Sequence, residues 1–278
     1  MRPFLPGVTA GSASIRSLVI LTLMALMTPS AQARPAFEHI VVFGDSLSDS
    51  GNAGRASNGP VWVEYLASRF GLTLKPSRMG GSNFAVGGAR LDPRSGDASL
   101  RAQASRYLRG ARPRGRILHI VYGGGNDLLA ALGQPQAFAM VDAAVASVRS
   151  IVADLAHQGA TDVLVPNLPA IGMTPAVRSQ GRRAVEAANE LAGRFDRALD
   201  QALSAFAGGT GLRLYRLDVW QLAERVSADP AAAGFVDITT PCAQHRGCEG
   251  HLFWDNVHPT TQAHRRLAEA AAQVLETR

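Results

Sequence analysis

Short apolar runs alternate along this chain with longer stretches in which apolar residues recur at helical spacing. His39 to Phe43 is a valine- and isoleucine-rich run with no polar face, the pattern of a strand covered on both sides. The spacing predicts an amphipathic helix over Pro60 to Phe70, with Pro60 suited to its first turn, and another over Leu100 to Arg109. Arg116 to Tyr122 reads as a second buried strand. Gln136 to His157 reads as a long alanine-rich helix with Gly159 near its stop. Asp162 to Val165 is a strand ending at Pro166, and Arg183 to Phe206 predicts the longest helix. A strand over Leu212 to Leu217, a short helix over Trp220 to Val226 and an amphipathic helix over Thr261 to Leu275 complete the pattern.

Strands separated by helices require crossover connections, which predicts an α/β fold with a mainly parallel sheet covered on both faces. Such sheets bind ligands outside the carboxyl ends of their strands. Ser46, Gly87, Asn126 and the loop 167–175 all follow predicted or plausible strands, so they are expected to converge on one rim. No internal repeat, low-complexity tract or linker interrupts the pattern, and one domain over residues 34–278 is expected.

The first residues read differently. Arg2 and Arg16 precede an apolar stretch from Leu18 to Met27, and Ala31-Gln32-Ala33 is a small-x-small cleavage signal. This is the layout of a secretory signal peptide over residues 1–33, and the apolar stretch is short for a membrane span. The alternative is an uncleaved N-terminal anchor. The expectation is a secreted or periplasmic protein, cleaved near Ala33, with no integral membrane span afterwards. The full chain carries +6; removing Arg2 and Arg16, the only charged residues before Arg34, leaves +4. That charge is modest and its arginines are scattered, so nucleic-acid binding has no support.

Cys242 and Cys248 are the only cysteines. In an exported protein such a pair forms a disulfide. Cys242, His245, Cys248 and His251 also recur at every third position, a set of donor types able to hold zinc, although the spacing is unlike that of common structural zinc sites. Two free thiols are the third alternative.

Candidate chemistry lies at the strand ends. Ser46 follows the first apolar run in Gly44-Asp45-Ser46-Leu47, where unpaired backbone amides point towards developing negative charge. A serine hydroxyl needs a base. Of the histidines, His39 and His119 fall in strand patterns, and His157 and His264 are expected on helix surfaces. His245 and His251 belong to the cysteine loop. His258 stands apart because Asp255 precedes it by three residues, close enough to accept the Nδ1 proton and leave Nε2 free for Ser46. Asp255 also fits a helix-entry cap, and His258 an ordinary loop histidine. Backbone N–H groups of Ser46 and Gly87 and the side-chain amide of Asn126 make a three-donor oxyanion hole. Taken singly, Gly87 also fits a turn with positive φ, Asn126 a cap, and Gly123 to Gly125 a flexible strand exit. Gly96-Asp97-Ala98-Ser99-Leu100 echoes the first motif without a strand before it, which makes Ser99 a helix-entry residue.

GDSLSDSGN around Ser46, NFAVGGA around Gly87, GGGND around Asn126 and DNVHPT around His258 resemble the blocks of the SGNH/GDSL family of esterases and lipases. The resemblance spans residues 44–260. It implies Ser46 as nucleophile, Gly87 and Asn126 as oxyanion partners, and His258 as base supported by Asp255. It also implies a flavodoxin-like three-layer α/β/α sandwich with no metal or organic cofactor. The wording is most similar to exported bacterial esterases and lysophospholipases, including autotransporter passengers, but the chain ends at Arg278 and no membrane barrel is expected. A monomer acting on a small-molecule or lipid ester is the expectation. An acyltransferase, a carbohydrate deacetylase and a catalytically silent binding module are the competing readings. Phe84, Leu128, Leu129, Ile171, Met173 and Trp254 lie near the predicted rim and fit either an acyl groove or ordinary core.

Overall fold

The computed structural model describes Met1, Pro3 and Gly7, and then residues 37–110, 113–206, 211–244 and 247–277. Strands form where the apolar runs lie: β1 (His39–Gly44), β2 (Ile117–Tyr122), β3 (Asp162–Pro166) and β4 (Arg213–Leu217). They pair in parallel in the order β1-β2-β3-β4. Every residue of β3, and every residue after the first in β1 and β2, is buried, as a sheet covered on both faces demands. Beyond β1, the Val42 N–H donates to Ser82 O at 3.1 Å, and Phe84 N–H donates to Val42 O at 2.8 Å. Val86 N–H then donates to Gly44 O at 3.1 Å. The stretch 82–86 thus runs beside β1 as an irregular fifth lane. In chain order the lanes are then second, first, third, fourth, fifth, the flavodoxin-like arrangement.

The helices are α1 (Trp62–Arg69), α2 (Leu100–Arg109), α3 (Gly125–Ala131), α4 (Ala137–His157), α5 (Pro175–Arg178), α6 (Arg182–Ser204), α7 (Val219–Ala228) and α8 (Thr261–Glu276). One layer joins α1 and α7 to α8; the other joins α2, α3 and α6 to α4. Their starts have local causes. Ser99 is the helix-entry residue expected of it, its Oγ accepting Ala102 N–H at 3.2 Å. The Glu64 carboxylate accepts the orphan Val61 N–H at 2.8 Å. Predicted boundaries slip by one or two residues. Two helices were not predicted. The four residues of α5 are too few to show a period. A run of glycines, poor helix formers, opens α3. That run is not a flexible exit. Gly124 has φ 120° and a Cβ there would stand 2.9 Å from the Phe195 ring, so the run lets α3 start against the core.

His264 corrects another expectation. It is fully buried on α8 rather than exposed, and neither ring nitrogen has a hydrogen-bond partner among the described residues. Burial, with smaller contributions from His258 and Arg55, pushes its pKa down to about 3. The unfolded chain binds this proton below pH about 6.5, while the native state stays neutral, so stability is lost as pH falls from about 6.5 towards 3. Urea unfolding of His264→Leu beside the parent should show the parent losing about 1.4 kcal/mol per pH unit relative to the variant between pH about 6 and 4. A gap that stays constant with pH would contradict a buried neutral imidazole.

Candidate active site

Ser46 sits where β1 gives way to a helical turn: Ser48 N–H and Asp49 N–H both donate to Asp45 O, at 3.1 and 3.0 Å. The turn is tight because residue 44 is glycine. A Cβ there would lie 2.8 Å from Tyr122 O and 3.1 Å from Ser48 Cβ. The buried Gln103 amide then holds Gly44 from both sides, accepting its N–H at 2.9 Å and donating to its carbonyl at 2.8 Å. The Ser46 N–H has no partner among the described residues, as expected at the start of a turn.

Across the rim, the loop before α8 brings His258 to the serine. His258 Nε2 lies 2.9 Å from Ser46 Oγ, and Nδ1 lies 2.8 Å from Asp255 Oδ2. Asp255 Oδ1 also accepts the backbone N–H groups of Val257 at 2.8 Å and His258 at 2.6 Å. Burial alone would raise the Asp255 pKa. Those two amides and the imidazole outweigh it and hold the carboxyl below its usual range. An ionised Asp255 fixes the proton on Nδ1, so Nε2 faces the hydroxyl as an acceptor. Asp255 caps no helix here: α8 is capped by Thr260, whose Oγ1 accepts Ala263 N–H.

Asn126 is the second residue of α3 and shares a cavity lining with Ser46 and His258. Its Nδ2 donates one hydrogen to Ala89 O at 2.9 Å, and an amide has a second to offer. Gly87 departs from expectation. It lies beside the serine, an added Cβ coming 4.0 Å from Ser46 Cβ, but its N–H donates to Asp49 Oδ2 at 2.9 Å. The positive φ of that turn belongs to Gly88, at 76°.

Several framing groups escaped the sequence reading. Fully buried Asp49 accepts the N–H groups of Gly51, Asn52, Ala53 and Gly87. Asn52 Nδ2 donates to the carbonyls of Asn83 and Ala85, while Asn83 Nδ2 donates to Ser48 O. These bonds stitch the Ser46 and Gly87 blocks together. Asp127 accepts Leu91 N–H and Asp92 N–H, tying α3 to the chain that leaves Gly88. Beside the serine, Asp45 is buried and its pKa rises to about 6, chiefly by desolvation. Position within the motif blocks was the only signal for these residues.

Cys242 and Cys248 are bridged, which answers one of the three alternatives. His245 of the zinc alternative lies outside the described residues. Cys242 N–H bonds Phe253 O and Ala243 N–H bonds Trp254 O, so the bridged loop flanks the strand of chain leading into Asp255. A bridge over so short a loop stabilises by about 2 kcal/mol in the chain-entropy model. Reduction should lower Tm and turnover together, as read by calorimetry and ester hydrolysis; loss of neither would dissociate this loop from the base.

An apolar cavity of about 170 Å³ opens from Ser46 and His258. Of the residues singled out for a groove, Leu129, Ile171 and Met173 line it. Leu128 is instead fully buried core, Phe84 stacks near Phe43 and Tyr107, and Trp254 stands outside the lining. Part of the wall comes from α7 and α8, which the sequence did not connect with the site.

A family model described as GDSL-like Lipase/Acylhydrolase matches residues 40–271. The chain is 29% identical to the phosphatidylcholine-sterol acyltransferase of Aeromonas hydrophila, aligned over 93% of this chain and 96% of that protein. It is 28% identical to the esterase EstA of Pseudomonas aeruginosa, aligned over 94% of this chain and 50% of that protein. Among solved structures, an acetyl xylan esterase of Geobacillus stearothermophilus superposes with a TM-score of 0.55 at 16% identity, over 86% of this chain and 94% of that one. That likeness shows a shared fold.

Proposed function

The chain belongs to the GDSL-like lipase/acylhydrolase family and is a carboxylic-ester hydrolase, and from that premise we propose that it works through an acyl-enzyme on Ser46. The observation that carries the proposal is the 2.9 Å contact between Ser46 Oγ and His258 Nε2 with the Asp255 carboxylate behind it. Ser46 Oγ attacks the acyl carbon while Nε2 takes its proton. The tetrahedral intermediate collapses, Nε2 returns that proton to the departing alcohol oxygen, and the acyl group remains on Ser46. Water then attacks the acyl-enzyme with His258 again as base, and the acid leaves. Asp255 keeps the imidazole oriented and stabilises its charged form.

For the oxyanion, the Ser46 N–H and the second Asn126 Nδ2 hydrogen are donors with no competing acceptor. Gly87 contributes by sharing its N–H with Asp49 or turning it away from that carboxylate. Asn126→Ala should lower kcat about 100- to 1,000-fold with little change in KM. Steady-state kinetics on a p-nitrophenyl ester reads this, and an unchanged kcat would reduce Asn126 to a holder of the Ala89 carbonyl.

The Aeromonas relative, similar over nearly its whole length, supports a second reading in which an alcohol replaces water as acyl acceptor. Hydrolysis of a p-nitrophenyl ester with rising 1-butanol separates the two. A hydrolase releases free acid in step with p-nitrophenol, whereas a transferase makes butyl ester its main product. We further propose export, with residues 1–33 as a cleaved signal peptide; these fall almost wholly outside the described residues. The Cys242–Cys248 bridge supports an oxidising compartment. Among the described residues no helix is long and apolar enough to cross a membrane. N-terminal sequencing of the exported protein tests this, with a start near Arg34 expected and an intact N-terminus contradicting it.

A further inference from the structure

The apolar interior is divided. A large cluster surrounds the sheet, and a small one comprises Val226, Phe235, Leu252 and Phe253, with Met173 and Ala263 against it. The cavity that opens from Ser46 lies between them: Val219 and Leu267 of the large cluster and Val226 and Phe235 of the small one all face it. The cavity, of about 170 Å³, is lined mostly by apolar side chains and has Ser46 and His258 in its wall. Its position points to an occupant delivered at the serine.

Resting on the acyl-enzyme reading, we infer that this cavity holds the acyl chain of the ester and selects medium-length aliphatic acyl groups over acetyl. The size argues for it: an apolar cavity of about 150 Å³ in another protein takes up benzene, so about six carbons fit here. The lining argues for a hydrocarbon. Arg266, its one basic side chain apart from His258, is spent on Ala233 O at 3.1 Å and Glu269 at 3.0 Å. The Thr174 hydroxyl is likewise spent on Ile171 O at 2.8 Å. The reaction order argues for the acyl side. The alcohol must leave for solvent as soon as Ser46 is acylated, whereas the acyl group stays until water arrives. Apolar burial between two clusters suits the group that stays.

Ala223 on α7 and Ala263 on α8 both line the cavity, so larger side chains there shorten it. The test compares the parent, Ala223→Phe, Ala263→Phe, the milder Ala263→Leu and, as a control on an exposed position of α7, Ser227→Phe. A small fluorophosphonate first titrates each preparation, so that rates refer to competent sites. One arm varies the acyl chain of p-nitrophenyl esters from acetate to octanoate; the other varies the alcohol of acetate esters. The parent should favour hexanoate over acetate at least about tenfold in kcat/KM. The alanine variants should reduce that ratio by about tenfold or more, Ala263→Leu by less, with the alcohol series unmoved and Ser227→Phe following the parent. An acyl profile that stays parallel to the parent's in the filled variants overturns the proposal, as does a shift confined to the alcohol series. Titration that labels a residue other than Ser46 overturns the acyl-enzyme reading instead, and the two failures are told apart.

Discussion

Ser46→Ala is expected to lower kcat by about a million-fold, leaving only the residual acceleration that binding and the oxyanion donors supply. The size follows from the chemistry. Nucleophile and base act as a unit, so losing the hydroxyl forfeits the covalent route together with the service of His258 and Asp255. The fold should survive, because among the described residues the side chain's only hydrogen bond is to His258, and the turn is held by Gly44, Gln103 and the Asp45 carbonyl. Kinetics on a purified variant with an unchanged melting curve reads this. A loss of only a few fold would mean that water is activated directly by His258.

Asp255→Asn should cost about 10⁴-fold in kcat with a small change in KM. The substituted amide keeps an oxygen for the Val257 and His258 N–H groups, so the loop remains in place. Its NH2 then faces His258 Nδ1, which must become the acceptor. The ring proton moves to Nε2, and the imidazole presents a hydrogen where Ser46 needs a base. The loss thus arises from the wrong tautomer. Equal activity in Asp255→Asn and the parent would show that the carboxylate only shapes the loop.

Much of this architecture is legible in the sequence because the physics behind it is local. Buried strands announce themselves as apolar runs, and β1 to β4 lie where those runs lie. The site residues sit where strands end, so a parallel sheet brings Ser46 and Asn126 to one rim before any distance is known. What escaped depends on contacts between distant segments. The Gly87 N–H is claimed by Asp49, a bond that exists only because Asn52 and Asn83 stitch two blocks together. The lane 82–86 is hidden because side-chain amides share its hydrogen bonding with β1. His264 had a readable signal that residue type obscured. It falls on the same stripe of α8 as Leu267, Ala268 and Ala271, all buried, so position outweighs polarity. The cavity was legible only in part: Leu129, Ile171 and Met173 mark a groove in the sequence, whereas its walls on α7 and α8 depend on packing between segments distant in the chain.

Mass spectrometry after inactivation with a fluorophosphonate tests the central claim most directly. One phosphonyl adduct per chain, on the peptide carrying Ser46 and absent from Ser46→Ala, is the predicted result. An adduct on any other serine, or inactivation of Ser46→Ala at the parent's rate, would contradict it.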